Sequence, residues 1–195
     1  MTLPLSVTAI AGSLQKPSRT EALLEAIAGE LHAALPIRTT VVKLSEMGPQ
    51  VGSAMHRAAL PPAAFAAVQA IEEADLLVVA SPVYRASYTG LLKHLFDFVG
   101  HKALVGRPVL LAATGGSDSH LLMIDHQLRP LFAFFDALPL PLGIYATEGD
   151  FDDYKLASPA VSERIARAID AALPWLPRSE ERRGTVLRQP FLAQL

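Results

Sequence analysis

The sequence contains no cysteine. That excludes a disulfide scaffold, thiolate zinc sites, iron–sulfur clusters and thiol catalysis. It also lacks an excess of either charge: 17 Lys and Arg face 19 Asp and Glu, for a formal net charge of −2. No electrostatic basis therefore exists for nonspecific binding to nucleic acid or to an anionic membrane, and neither is an expected partner. Long apolar runs are missing as well. Those at residues 76–80, 109–113 and 131–135 fall far short of the ~20 residues that span a bilayer. The opening stretch, MTLPLS, has no basic segment leading to an apolar run with a small-residue cleavage site, so a cytoplasmic protein is expected. Charged residues are few, 18% against 51% hydrophobic, which excludes a chain that stays disordered. At 195 residues the expectation is one domain over 1–176, followed by an arm over 177–195.

What is present is alternation. Short β-rich runs occupy residues 5–10, 38–44, 75–80, 108–113 and 140–146. The third and fourth are almost continuously apolar, as befits parallel strands covered on both faces. Helical patterns separate them, at 20–34, 62–73, 88–99 and 119–136, and a last one follows at 158–173. The last opens on Ser158 with Pro159 at the first helical position. Five βα units imply an α/β fold: a five-stranded parallel sheet with helices on both faces, in the flavodoxin-like order 2-1-3-4-5. Beyond Trp175 the chain turns arginine-rich, with an apolar end at Phe191, Leu192 and Leu195, and reads as an arm.

In such sheets ligands bind outside the carboxyl ends of the strands, which directs attention to three loops. The first, residues 11–20, is neither a G-x-G-x-x-G fingerprint nor a Walker A loop, since it has a single glycine and no G-K-[ST]. Its hydroxyls Ser13, Ser18 and Thr20, the cation Arg19 and a helix N-terminus suit a phosphate monoester. Ser18 and Glu21 also fit a capping box, and the two uses are compatible. The second loop, residues 81–88, offers Pro82, Val83 and Tyr84 as a flat, partly apolar surface for an aromatic ring, or simply a strand-to-helix turn. The third, residues 113–120, carries the pair Gly115 and Gly116 after Thr114 and before Ser117. It reads as a close backbone approach to a ligand edge or as a tight turn.

Taken together, Gly12-Ser13 with Ser18-Arg19-Thr20, then Ser81-Pro82-Val83-Tyr84, then Ala113-Thr114-Gly115-Gly116 resemble the NAD(P)H-dependent FMN reductase family. The resemblance covers residues 5–173, with the motifs in order. Residues 112–122 and 125–131 are similar to the FMN reductases of sulfonate-utilisation systems. It implies that FMN phosphate sits on Ser13, Ser18, Arg19 and Thr20. The isoalloxazine is then expected against Pro82, Val83 and Tyr84, with Thr114, Gly115, Gly116 and Ser117 at its edge. Hydride passes from nicotinamide C4 of NADH or NADPH to flavin N5, so no acid–base catalytic residue is required. The family also implies a homo-oligomer, dimer or tetramer, and a partner: an FMN-dependent sulfonate monooxygenase that receives reduced FMN. NADH is favoured by the likeness to the methanesulfonate branch.

That likeness rests on His126. Alkanesulfonate reductases carry an inserted tyrosine in this helix, producing a π-helical turn, and His126 is the matching position. The resemblance places it in a π-turn at a subunit interface. The apolar spacing of Leu121, Ile124, Leu128, Leu131, Phe132 and Phe135 fits an uninterrupted α-helix equally well. Other clusters carry less. His94, Asp97 and His101 mimic metal-ligand spacing, but Gly100 ends the helix between them and they read as a solvated face. Asp150, Asp152 and Asp153 lack the EF-hand pattern and read as a solvated loop, set near the nucleotide of a neighbouring chain. Ser81 and Ser117 have no relay for hydrolase chemistry. Two further readings stay open: a quinone or azo reductase that retains FMN, and a flavodoxin-type electron carrier, which the balanced charge disfavours.

Overall fold

Leu76–Pro82 (β3) and Pro108–Gly115 (β4) form the middle of the sheet, with β3 buried along its whole length and β4 along all but its last residue. The computed structural model describes residues 4–177, so all of the expected arm over 177–195 but its first residue lies outside the described residues. β3 pairs with Leu5–Ala11 (β1) on one side and β4 on the other; β1 pairs with Ile37–Lys43 (β2) at the edge. All these pairs are parallel, and the order is the expected 2-1-3-4-5. The edge strand β2 exposes Arg38, Thr40 and Val41 and buries only Val42, whereas the central strands need apolar side chains on both faces.

The two faces pack separate cores. Ile10, Leu77, Val79, Val109 and Leu111 point to Leu44–Gly52 (α2), Pro62–Glu73 (α3) and Gly90–Asp97 (α4). Val7, Ala9, Val78, Ala80, Leu110 and Ala112 point to Arg19–Ala34 (α1) and Pro159–Ala172 (α6). Alternation of side chains along each strand produces this division. Helix α2 was not expected from sequence. Gly48 and Pro49 lie inside it and weaken its helical signature, yet a Cβ on Gly48 would lie 3.1 Å from Leu91 Cδ2, a close seat on α4.

Two expected elements differ. The fifth strand is split into Leu138–Pro139 (β5) and Ile144–Thr147 (β6), paired with the start and the end of β4. Pairing lapses across residues 141–143. Pro141 has no N–H to donate, and the Arg129 guanidinium instead takes up the carbonyls of Leu140 at 2.8 Å and Pro141 at 2.7 Å. The helix expected over 119–136 is also not one α-helix. It runs as a 3₁₀ turn (Asp118–His120), a π-helix (Ile124–Leu128) and a short α-helix, Arg129–Phe134 (α5). The Arg129 N–H reaches back five residues to Ile124. Pro130 offers no N–H to the His126 carbonyl four residues earlier, so the regular ladder breaks there.

One half-buried ion pair ties the α3 end to the turn after α4. Glu72 accepts from both Arg57 Nη atoms, at 2.7 Å for Nη2, and from the Gly100 amide at 2.7 Å; Arg57 Nη1 also donates to the Phe98 carbonyl at 3.0 Å. Burial pushes the Glu72 carboxyl upward, but Arg57 and the Gly100 amide outweigh it and leave the group below its ordinary value. A carboxyl lowered on folding stabilises the fold above the ordinary carboxylate range, and loses that contribution as pH falls through its folded value. Glu72→Gln is expected to cost about 2 kcal/mol near neutrality, the scale of hydrogen bonds to a charged group. It should also flatten the acid side of the stability profile, read by urea unfolding between pH 7 and 3. An unchanged acid slope would show that this pair does not matter.

Candidate functional site

The carboxyl ends of β1, β3 and β4 open into one cleft of about 230 Å³, lined by Ser13, Ser18, Arg19, Thr20, Pro82, Val83, Tyr84, Thr114, Gly115 and Gly116 among others. Ten of the residues singled out from sequence thus come together. Two do not line it. Ser117 stands just beyond, its carbonyl accepting from Tyr145 Oη at 2.6 Å. His126 lies exposed within the π-helix, away from the cleft lining.

Each wall has a local cause. The Gly12 N–H extends the β1–β3 ladder to the Ala80 carbonyl at 2.7 Å, and the Gly12 carbonyl accepts from Thr89 Oγ1 at 2.8 Å. A Cβ at Gly12 would lie 3.2 Å from the Ala80 carbonyl oxygen, so the loop leaves β1 pressed against β3. Ser18 caps α1 by accepting from the Glu21 N–H at 3.2 Å. The expected capping box is half formed: the Glu21 carboxylate turns away to Ser45 and to Lys43, 3.1 Å off. The first-turn amides of Arg19 and Thr20 have no intrahelical acceptor, a property of every helix start. Thr20 and Thr114 share a buried hydroxyl–hydroxyl bond of 2.7 Å, which joins the α1 start to the β4 end. Val83 N–H donates to the Thr114 carbonyl at 2.8 Å, which holds the second loop beside the third. Tyr84 and Ser87 exchange backbone bonds around Arg85 and Ala86, both at positive φ (51° and 66°), a tight turn at the rim.

The paired glycines separate in role. A Cβ on Gly115 would fall 2.0 Å from Tyr145 Oη, so Gly115 makes room for a tyrosine of the neighbouring strand. A Cβ on Gly116 would meet nothing within 4 Å and faces open space.

Sequence reasoning missed Glu148 and Tyr154, both in the cleft lining. After β6 the chain makes a 3₁₀ turn, Glu148–Asp150, then a hairpin of Phe151–Asp152 (β7) and Lys155–Leu156 (β8). This segment, whose Asp150, Asp152 and Asp153 read from sequence as a solvated loop near the nucleotide of a neighbouring chain, brings Glu148 and Tyr154 into the lining of the cleft of its own chain. Asp150 is not merely solvated: Oδ2 accepts from Thr147 N at 2.7 Å and Thr147 Oγ1 at 2.8 Å. Burial raises the Asp150 carboxyl, and the Thr147 and Ser158 hydrogen bonds outweigh it and leave it lowered. Arg19 pairs with Glu148 through Nη2, lies 5.0 Å under the Tyr154 ring centroid, and keeps Nε buried without a partner among the described residues. His94, read as a solvated metal mimic, instead meets the Ala54 carbonyl at 2.9 Å and stacks edge-on with Phe98.

A guanidinium Nε with no partner among the described residues, helix-start amides without an intrahelical acceptor and a shallow, partly apolar wall are the chemistry that suits a ligand with an anionic end and a flat ring. Known proteins agree. Residues 5–152 match the family described as NADPH-dependent FMN reductase. The chain is 52% identical over 174 residues to the NADH-dependent FMN reductase SfnF of Pseudomonas fluorescens, covering 89% of this chain and 93% of that one. It is 49% identical to an FMN reductase (NADPH) of Pseudomonas aeruginosa, covering 89% and 94%. In three dimensions it resembles the X-ray structure of an oxidoreductase from Corynebacterium diphtheriae, with a TM-score of 0.78 and 33% identity over 88% of this chain and 97% of that one. The fold, the cleft and these likenesses converge: the chain belongs to the NADPH-dependent FMN reductase family, enzymes that reduce FMN with a nicotinamide nucleotide.

Proposed function

We propose that this chain takes up FMN as an exchangeable substrate, reduces it with NADH in preference to NADPH, and releases it to a sulfonate monooxygenase in the cytoplasm. FMN accepts a hydride at N5 from nicotinamide C4. The protein's part is to hold, orient and expose. The first-turn amides of Arg19 and Thr20, the hydroxyls of Ser13 and Ser18, and the Arg19 guanidinium would take the phosphate. Pro82, Val83 and Tyr84 would carry the ring, with Thr114, Gly115 and Gly116 at its edge and Ser117 just outside. The residues fit the ligand: the buried Nε of Arg19 has no acceptor among the described residues, and Gly116 leaves its side of the cleft open.

The observation that carries the reading is the convergence of all three loops on one shallow cleft. Its volume, about 230 Å³, falls below the ~300–1,000 Å³ usual for sites that enclose a ligand. Such a cleft would leave one ring face uncovered for the nicotinamide and give the flavin an open way out. The NADH preference is supported by the likeness to the NADH-dependent FMN reductase SfnF of Pseudomonas fluorescens, and the sulfonate partner by the similarity of residues 112–122 and 125–131, with His126, to the FMN reductases of sulfonate-utilisation systems. Among the described residues no helix is long and apolar enough to cross a membrane. A homo-oligomer is supported by a second groove of about 540 Å³ between α4 and α5, where Phe134 is 60% exposed and its ring lies tilted against His101, centroids 4.8 Å apart.

The test is NADH oxidation by the purified full chain with and without added FMN, after recording its flavin content and its elution on a sizing column. Little bound flavin, turnover that saturates with free FMN, and elution above the monomer mass of 20.9 kDa are expected. Stoichiometric bound flavin with turnover only on a quinone or azo dye would replace this reading with a flavin-retaining reductase. Elution as a monomer would remove the oligomer.

A further inference from the structure

The cleft that would receive a phosphate is already neutralised from within. Arg19 is the cation of its lining, and Glu148, also in the lining, holds Arg19 Nη2. A phosphate monoester arrives with ~1.5 to 2 negative charges and needs that guanidinium edge. It must share Arg19 with a carboxylate of its own sign.

Nothing about Glu148 points to a stabilising role for the pair. Its side chain is 64% exposed, and ion pairs so solvated contribute little to folding. Its position is set by neighbours. Thr147 and Asp150 close the turn, and Ala157 and Ser158 donate to the Asp150 carbonyl at 2.9 and 3.1 Å. The same segment carries Tyr154 over Arg19 at the hairpin tip, with φ of +63° next to Asp153 at +41°, a turn that bulky side chains disfavour. The ring shields one face of the guanidinium from water, which strengthens the field of the adjacent carboxylate. Two independent features of one segment, a charge and an aromatic ring, thus act on the cation that a phosphate would seek.

We infer that Glu148 is an internal competitor for Arg19 that weakens the grip on the flavin phosphate and so sets the rate of FMN exchange. This rests on the reading that FMN phosphate docks at the α1 start. The chemistry is that of a phosphate monoester joined to a ring, and the ring itself is untouched by Glu148.

The experiment is equilibrium binding of FMN and of riboflavin to the full chain, by flavin fluorescence, for wild type, Glu148→Gln and Glu148→Asp. Glu148→Gln is expected to tighten FMN about tenfold, the scale of one like-charge contact at a partly solvated separation. Glu148→Asp, which keeps the charge, should stay within about threefold of wild type. Riboflavin affinity should be the same in all three proteins. Unchanged or weaker FMN binding by Glu148→Gln overturns the inference, as does equal tightening by Glu148→Asp or an equal gain for riboflavin. If wild type binds neither flavin, the FMN reading itself falls; if wild type binds FMN and Glu148→Gln gains nothing, only the role of Glu148 falls.

Discussion

Replacing Arg19 by methionine is expected to raise the FMN concentration for half-maximal turnover about a hundredfold, within the 2–5 kcal/mol that follows loss of one partner in a charged contact. Two effects add. The guanidinium no longer donates to the phosphate, and Glu148 is left facing that phosphate with no cation between them. Methionine keeps the unbranched stem, so helix α1 should hold: its cap is the Ser18 side chain, not Arg19. Turnover at saturating FMN should change by less than about threefold, because in the proposed binding mode Arg19 would hold the phosphate end, away from the hydride path. Lysine at this position should fall between, since it restores charge without the planar fork. The check is steady-state kinetics with FMN varied, beside riboflavin as a substrate lacking phosphate. A shift under tenfold, or an equal shift for riboflavin, would place the phosphate elsewhere. Adding Glu148→Gln to Arg19→Met should recover part of the loss, which a double-mutant cycle measures directly.

Gly115→Ala is expected to destabilise the protein by about 3 kcal/mol, at the upper end for overpacking. It should remove FMN binding at ordinary flavin concentrations. The added methyl group would sit 2.0 Å from Tyr145 Oη and 3.0 Å from Cζ, so the ring must leave its seat. That ring is packed against the core, and its hydroxyl donates to the Ser117 carbonyl at 2.6 Å. Burial, with Asp118 nearby, raises the Tyr145 phenol above its ordinary value, so the hydroxyl stays a donor throughout the working pH range. Expelling the ring releases Ser117 and with it the loop that edges the cleft. Tyr145→Phe in the same chain should restore about half of the stability, because the 2.0 Å clash disappears while the contact at Cζ remains. Urea unfolding of the four proteins of the cycle reads this. A Gly115→Ala variant as stable as wild type would show that Tyr145 moves aside freely.

The two glycines illustrate how far local sequence reaches. From sequence the pair reads alike, as backbone approach to a ligand edge or as a tight turn; in the structure both line the cleft, Gly116 beside open space and Gly115 against a side chain 30 residues later in the chain. Similarly, the helical spacing of Leu121, Ile124, Leu128 and Phe132 concealed a π-helix, because one extra residue in a turn leaves most of an apolar stripe in place. The split fifth strand was hidden in the same manner. Residues 140–146 are apolar enough for a strand, and the use of Arg129 on the carbonyls of residues 140 and 141 appears only once the helix and strand lie together.

The strand order, the two-faced core and the three cleft loops were determined by sequence alone. Burial on both faces demands near-continuous apolar runs at β3 and β4, and each βα junction carries its own hydroxyls, proline or glycines. Those are local demands, written in consecutive residues. What faces Arg19 was decided only by tertiary structure. Glu148 lies 129 residues away in sequence, and nothing in its own neighbourhood distinguishes it from a solvated acid. The reach of β6 along β4, and the turn and hairpin that follow, bring it back over the cleft. Charge acts through space and not along the chain, so the field at Arg19 depends on which distant loops the sheet brings together.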